Sequence, residues 1–466
     1  MSDRERPKSS RVGVIGTYGH GNLGDEAVFV AFLQWAGKHA PEVEPVALCV
    51  NPEYIERTYG VPAQPVAARY AGTGQSPQPG ALSPAQADAE PQRRDLLRAS
   101  CRLAGRLWHL ATQALTPLVK VLRPPWRVLK GFLIAVRFLP RQLRITRSLG
   151  GVIVLGGGQV HDFWDGPFGH PMTLCSWALA CRIAGRPFAI LSIGAIELRH
   201  RLSQRFVRAT FQWSVYATVR DRGSALWVES FGVTRACPVY PDLAWGLDPV
   251  RIVECSTRRS GQALPIRPRN SVPRTVGVCP MAYRHPKLWA SGDADGYARY
   301  IGSLAAFCNR LLEHGYEVVL FPTQIRMDLA AVRDVVERMP PDRAERVHVR
   351  TVDGIAELVR CLVSVDVVVA SRFHGVLLSL RTGRPALSLA YQEKCNALLE
   401  ALGEGQFGLD IHDFSAEDLW RRFERLCVHF GTYVERLTSR VEENHRMLDE
   451  QYRRYFAKVC RTRMGC

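Results

Sequence analysis

Along nearly the whole chain, short runs of Val, Ile and Leu alternate with stretches of helical periodicity, and each apolar run ends in glycine or a polar cluster. That alternation is the mark of βα units, whose strands pair in parallel and are covered by helices. Strands are expected at 12–16, 46–50, 152–155, 188–193 and 216–219, and again at 275–279, 317–321, 365–370 and 386–389. Between the two sets, from 248 to 273, Arg, Ser, Gly, Gln and Pro dominate and periodicity lapses, which predicts an interdomain linker. The organisation that follows is an N-terminal α/β domain over 1–247, a linker over 248–273, a second α/β domain over 274–430, and a helix and tail over 431–466. The 466 residues suit two to three domains. Such folds take ligands at the carboxyl ends of their strands and in the cleft between domains. The C-terminal helix can pack across the first domain or mediate self-association, and the sequence leaves both open.

Charge is unevenly spread. The chain carries a formal +17, of which +12 falls between 92 and 150, where thirteen Lys and Arg face Asp95 alone. A local basic surface, rather than a basic protein, requires explanation. Residues 71–91 hold four Pro and three Gly without periodicity and read as a surface loop. Beyond them Arg94, Arg98, Arg102 and Arg106 recur every fourth residue opposite Leu96, Leu103, Leu107 and Leu110. This is a basic amphipathic helix, broken at Pro124 and Pro125, and a second can start at Trp126. Residues 71–148 thus read as a flexible loop plus a basic helical insertion in the first domain. Neither apolar face reaches the roughly 18 residues that cross a bilayer. A contact of 92–148 with an anionic membrane surface is favoured over a solvated pair of helices packed on the domain, and nucleic acid fits least. Thirteen Cys without a C-x-x-C pair suit a reducing compartment, and the first residues form no signal-peptide core, so a cytoplasmic location is expected, peripheral to the membrane if the basic insertion binds it.

Four segments carry candidate chemistry. In VGVIGTYGHGNLGDEA, Gly19, Gly21 and Gly24 satisfy G-x-G-x-x-G. Asp25 and Glu26 in the first helical turn nevertheless oppose a pyrophosphate there, so a substrate-facing loop is preferred to a dinucleotide site or a bare helix cap. In VIVLGGGQVHD, a strand empties into Gly156, Gly157 and Gly158, followed by His161 and Asp162. In YATVRDRGS, Arg220 ends a strand and Asp221 either caps the next helix or orients the arginine. In VDVVVASRFHG and ALSLAYQEK, Arg372, His374 and Lys394 stand at the ends of neighbouring strands beside helix N-termini, a compact anion site containing a titratable imidazole. No His, Cys or acidic set has metal-ligand spacing.

Taken in order, GHGNLGDEA, LGGGQVHD, VRDRGS, YPDLAW, SRFHG and YQEK resemble the polysaccharide pyruvyl transferase family over about residues 11–403, apart from the insertion. The resemblance implies a GT-B-like pair of Rossmann-like domains facing a cleft. It also implies transfer of the carboxyvinyl unit of phosphoenolpyruvate (PEP) to two hydroxyls of a glycan sugar, giving a pyruvate ketal and phosphate. PEP is then a donor substrate, no cofactor is needed, and a lipid-linked oligosaccharide is one candidate acceptor, with a cell-surface polysaccharide precursor as its setting. Matched by motif, Arg220, His374 and Lys394 are the catalytic and PEP-binding residues, with Arg372 and Phe373 beside them. Asn22, Asp25, Gly157 and Asp242 are placed at the acceptor by position. The chain departs from the family pattern at Phe373, where Leu is common, at YQEK, where Asp-Pro commonly precedes the Lys, and at SIGAIEL (192–198). The alternatives are a GT-B glycosyltransferase using a nucleotide sugar and a catalytically silent, membrane-associated family member.

Overall fold

The computed structural model describes residues 11–71, 131–260 apart from 132, 135 and 164, 272–289 and 292–464. Among the described residues, twelve strands form two parallel sheets. The first contains β1 (Arg11–Ile15), β2 (Glu44–Cys49), β3 (Ala63–Pro65), β4 (Gly151–Leu155), β5 (Phe188–Ile193) and β6 (Tyr216–Val219), in the order β3-β2-β1-β4-β5-β6. The second contains β7 (Thr275–Cys279), β8 (Glu317–Leu320), β9 (His348–Val349), β10 (Val367–Ala370), β11 (Ala386–Ala390) and β12 (Gly408–Asp410), in the order β9-β8-β7-β10-β11-β12. Each half therefore repeats one topology, with its crevice where the strand order reverses, at β1/β4 and β7/β10. β4, β5, β7 and β11 are buried along their whole length because helices cover both faces, which is why they read as unbroken apolar runs.

One buried apolar cluster runs from Phe29 and Phe32 through Leu243 and Trp245 to Val278 and Leu377, joining the domains. The other face of the first sheet packs Val152, Trp177, Phe188 and Phe211. Polar contacts fix the domains further. Asn22 and Gln324 form an isolated antiparallel bridge, the Ile325 N–H donates to the Gly21 carbonyl at 3.0 Å, and Arg381 Nε donates to the Trp245 carbonyl at 2.6 Å.

The C-terminal helix, Phe430–Met464, packs across the first domain. It leaves the second domain with Tyr433 bonded to the Ala386 carbonyl, then stacks Tyr452 on Trp35 with centroids 4.6 Å apart and sends Gln451 between Ser192 and Thr218. The stretch expected to be linker opens instead with a helix, Pro249–Ser260, because Ile252 and Val253 find buried positions against the core.

The two helices expected at 92–123 and from Trp126 fall largely outside the described residues, and only the end of the second is in view. Residues 136–147 are helical, and Phe138, Gln142 and Thr146, four residues apart, are buried on one face, with Gln142 Nε2 donating to Ser176 Oγ at 2.9 Å. Leu133, Ile134, Val136 and Arg137 face outward. Among the described residues no helix is long and apolar enough to cross a membrane.

Candidate active site

The loop after β1 turns sharply at Gly19 (φ 86°) and Gly21 (φ 84°), a left-handed conformation that glycine adopts without steric cost. Asn22 then caps the helix Leu23–His39: its Oδ1 accepts from the Gly24 N–H at 3.2 Å while its Nδ2 donates to Asp25 Oδ2 at 3.0 Å. Thr17 Oγ1 donates to the same carboxylate oxygen at 2.7 Å. Asp25 is thereby held, buried, at the end of β1. Across the β1/β4 crevice Gly157 adopts φ 70°, and a Cβ built there would stand 3.3 Å from Asp25 Oδ1. Asn22, Asp25 and Gly157 form one wall.

Arg220 leaves β6 and lies flat against Gly194, where a Cβ would meet its Cζ at 2.5 Å. Asp221 both caps the following helix, accepting from the Ser224 N–H at 2.6 Å, and pairs with Arg220 Nε at 3.1 Å. Asp242 does similar double duty, capping the turn Leu243–Gly246 and pairing with Arg220 Nη1 at 3.3 Å. The guanidinium is 4% exposed, and its Cζ sits 4.8 Å from the Phe373 ring centre. Arg220 stays charged under these conditions, since two carboxylates offset its burial.

The second domain supplies the opposing wall. His374, in the first turn of Phe373–Arg381, lies directly over Gly24, where a Cβ would be 2.1 Å from its Cγ. Its Nε2 is 3.9 Å from Asp242 Oδ2 and is buried without a hydrogen-bond partner among the described residues. Burial lowers the imidazole's pKa below the usual histidine range, and Arg220 and Lys394 add to this, while Asp242 and Asp25 pull the other way. The free site thus holds a neutral imidazole near pH 7. Lys394 follows β11 and lies 5.9 Å from the Phe373 ring and 5.4 Å from the Tyr391 ring, with no carboxylate in ion-pair range among the described residues. Arg220, His374 and Lys394, separated by up to 174 residues, surround the single ring of Phe373.

Arg372 is placed differently. Its Nε and Nη2 form a bidentate pair with Asp328 at 2.6 and 2.8 Å, and that carboxylate also accepts from the Gln324 and Ala282 N–H groups. Asp328 begins the helix after the strand-end segment of β8, and sequence reading missed it because nothing in its neighbourhood marks it as a partner for a residue 44 positions away. Gly194, against which Arg220 rests, was likewise visible only as part of an imperfect strand end.

His161 and Asp162 stand beside this cleft. Asp162 accepts from the Arg199 and His200 N–H groups and from Ser203 Oγ, which ties down the loop after β5. His161 lies with its ring centre 4.6 Å from that of His170, the rings tilted at 56°, and burial, with Lys394, pushes its pKa down to about 4, against the pull of Asp162 and Asp25. Among the described residues no group of three or more His, Cys, Asp or Glu is placed to hold a metal ion.

The fold resembles that of the putative UDP-N-acetylglucosamine 2-epimerase of Listeria monocytogenes, with a TM-score of 0.52 at 10% identity over 92% of this chain and 90% of that one. The UDP-GlcNAc 2-epimerase of Methanocaldococcus jannaschii gives 0.52 at 9% identity over 89% and 92%, and a trehalose-6-phosphate synthase gives 0.52 at 10% over 97% and 99%. These likenesses establish a GT-B-like architecture and nothing of chemistry. No curated protein matches the sequence at a significant level. The sequence profile of the polysaccharide pyruvyl transferases does match, over residues 22–393, a span that contains Asn22, Asp25, Gly157, Arg220, Asp242, Phe373 and His374 and stops one residue short of Lys394, and the chain belongs to the polysaccharide pyruvyl transferase family.

Proposed function

We propose that the protein transfers the carboxyvinyl unit of PEP to two hydroxyls of a glycan sugar, forming a pyruvate ketal. The observation that carries this reading is the convergence of Arg220, Lys394 and the unpartnered His374 Nε2 from two domains on one small space. PEP joins a carboxylate and a phosphate on a three-carbon frame, and such an anion needs cations in a fixed array. Lys394, without a carboxylate partner among the described residues, supplies the uncompensated charge, and Arg220 is rigidly placed by Asp221 and Asp242.

In the reaction the methylene carbon takes up one proton, giving an oxocarbenium-like centre. One sugar hydroxyl adds with loss of its proton, the C–O bond to phosphate breaks, and the second hydroxyl closes the ketal. Of the two hydroxyl protons, one replaces that delivered to carbon and the other leaves with phosphate. His374 is the group that moves protons here. Its imidazole is neutral in the free site, and a trianion beside it favours the protonated form, so donor binding itself charges the acid. Arg220 and Lys394 neutralise the departing phosphate. Asn22, Asp25, Gly157 and Asp242 orient the acceptor. Arg372 enters through Asp328, fixing the loop that presents Phe373 and His374. The acceptor is membrane-borne, a lipid-linked precursor of a cell-surface polysaccharide, reached by an enzyme peripheral to the cytoplasmic face.

Calorimetric titration with PEP, and separately with UDP and GDP sugars, tests the donor. PEP is expected to bind, Arg220→Ala and Lys394→Ala to weaken it by tenfold or more, and His374→Ala to lower turnover more than about tenfold with modest loss of affinity. A nucleotide sugar that binds where PEP does not would move the protein to the glycosyltransferase reading.

A further inference from the structure

The carboxyl ends of β7, β11 and β12 gather aromatic side chains that the donor site does not use. Tyr283, after β7, has Trp289 at 5.7 Å, Tyr391 at 5.9 Å and His412 at 5.3 Å between ring centres. Trp289 and His412 meet the Tyr283 ring edge to face. A core cluster would be buried throughout. Here Tyr283, Trp289 and Tyr391 are half-buried and the His412 side chain is 47% exposed.

The phenol is also held in place. His412 Nδ1 lies 2.6 Å from Asp410 Oδ1, and its Nε2 lies 2.8 Å from Tyr283 Oη. A carboxylate only accepts, so Nδ1–H donates to Asp410; in the neutral imidazole Nε2 then carries the lone pair and accepts from the Tyr283 O–H. The Asp410 carboxyl sits below the usual carboxylate range, chiefly because it accepts the His412 backbone N–H, so it is ionised at neutral pH. Arg284, next in sequence to Tyr283, is forced to φ 52° and lies 5.7 Å from its ring. A non-glycine residue in the left-handed region is strained, and such outliers gather at ligand sites. The Trp289 indole N–H is buried with no acceptor among the described residues. Tyr391 joins this group to the anion site, since its other neighbour is Lys394 Nζ at 5.4 Å.

We propose that Tyr283, Trp289 and Tyr391 form a carbohydrate subsite that receives a pyranose ring of the acceptor glycan, with the Tyr283 hydroxyl, fixed by His412 and Asp410, as its oriented polar contact. A pyranose has apolar C–H faces that pack on aromatic rings and hydroxyls that need directed partners, and this cluster offers both. Its place in the reaction rests on the pyruvyl-transfer reading; its affinity for sugar does not.

Saturation-transfer NMR of the full chain with a panel of methyl pyranosides (glucoside, galactoside, mannoside and 2-acetamido-glucoside) tests it, with PEP calorimetry in parallel. At least one pyranoside is expected to saturate on the wild type, and Tyr283→Ala and Trp289→Ala to lower its affinity about fivefold or more. Trp227→Ala, an exposed tryptophan of the first domain, should leave that signal unchanged. Tyr283→Phe keeps the ring and removes the hydroxyl, and an expected loss of about threefold serves if the alanine variants fail to fold. No pyranoside binding by the wild type, or binding unaltered in the folded Tyr283 and Trp289 variants, overturns the proposal. Sugar binding that depends on Tyr283 in a protein that ignores PEP would keep the subsite and remove the donor reading.

Discussion

At Gly24 a hydrogen stands where any other residue would put a Cβ 2.1 Å from His374 Cγ. Gly24→Ala should therefore displace the His374 ring while leaving Arg220 and Lys394 in place. Turnover is expected to fall more than about tenfold with PEP affinity within about threefold, a split that steady-state kinetics and calorimetry separate. Histidine protonation sets a second expectation. His161, held at about 4 by burial and Lys394, and His170 and His374, both lowered chiefly by burial, favour the neutral form in the folded chain. Near pH 6.5 the unfolded chain begins to take up protons that these sites refuse. Their contribution to stability is complete above about pH 7 and declines as pH falls below about 6.5, levelling off for His161 below about 4. Urea unfolding at pH 7 and 4.5 should show His161→Gln losing about 2.5 kcal/mol less than the wild type over that interval, an upper estimate for a single group. Equal losses would place the folded pKa near its ordinary value.

At the level of elements, the central strands were legible because burial on both faces leaves an unbroken apolar run, as in β4 and β7. The edge strands β3, β9 and β12, two or three residues long and partly exposed, carry no such run. Arg220, His374 and Lys394 could be found from sequence because each terminates a strand-to-helix junction. Asp328, Gly194 and the Tyr283–His412–Asp410 chain could not, since their partners come from other strand ends and contact depends on sheet order. The basic region divides the same way. Phe138, Gln142 and Thr146 dock the helix at 136–147 on the first domain, so its removal would strip buried surface. A deletion of 72–130 instead takes away nine of the thirteen cationic residues between 92 and 150 and leaves the docked face. If those residues seat the enzyme on anionic lipid, this deletion should reduce sedimentation with phosphatidylglycerol liposomes several-fold and steepen no salt dependence. Undiminished sedimentation would return the basic stretch to a solvated surface.

Across the whole molecule, the C-terminal helix connects the strand that leads to Lys394 with the strand that ends in Arg220. β5 bulges against β6, with Ile190 opposite Ala217 but Ile193 opposite Val219, and Ser192 takes a left-handed φ of 46°. Gln451 fills that irregularity: its Nε2 donates to Ser192 Oγ at 2.8 Å and to Thr218 Oγ1 at 2.5 Å, two residues before Gly194 and Arg220 respectively. Gln451→Leu should weaken PEP binding about fivefold in a protein that still folds by circular dichroism, and an unaltered Kd would disconnect the helix from the Arg220 pocket. The seating of His374 on Gly24, with the Asn22–Gln324 bridge beside it, has a bearing on tempo. If the chain makes a ketal from PEP and a bulky glycan, neither can thread a seam this tight, and the halves would have to part and rejoin once per turnover. The long helix is then the tether about which they swing, and thickening the solvent with sucrose should slow a cycle whose pace is set by that swing rather than by bond-making.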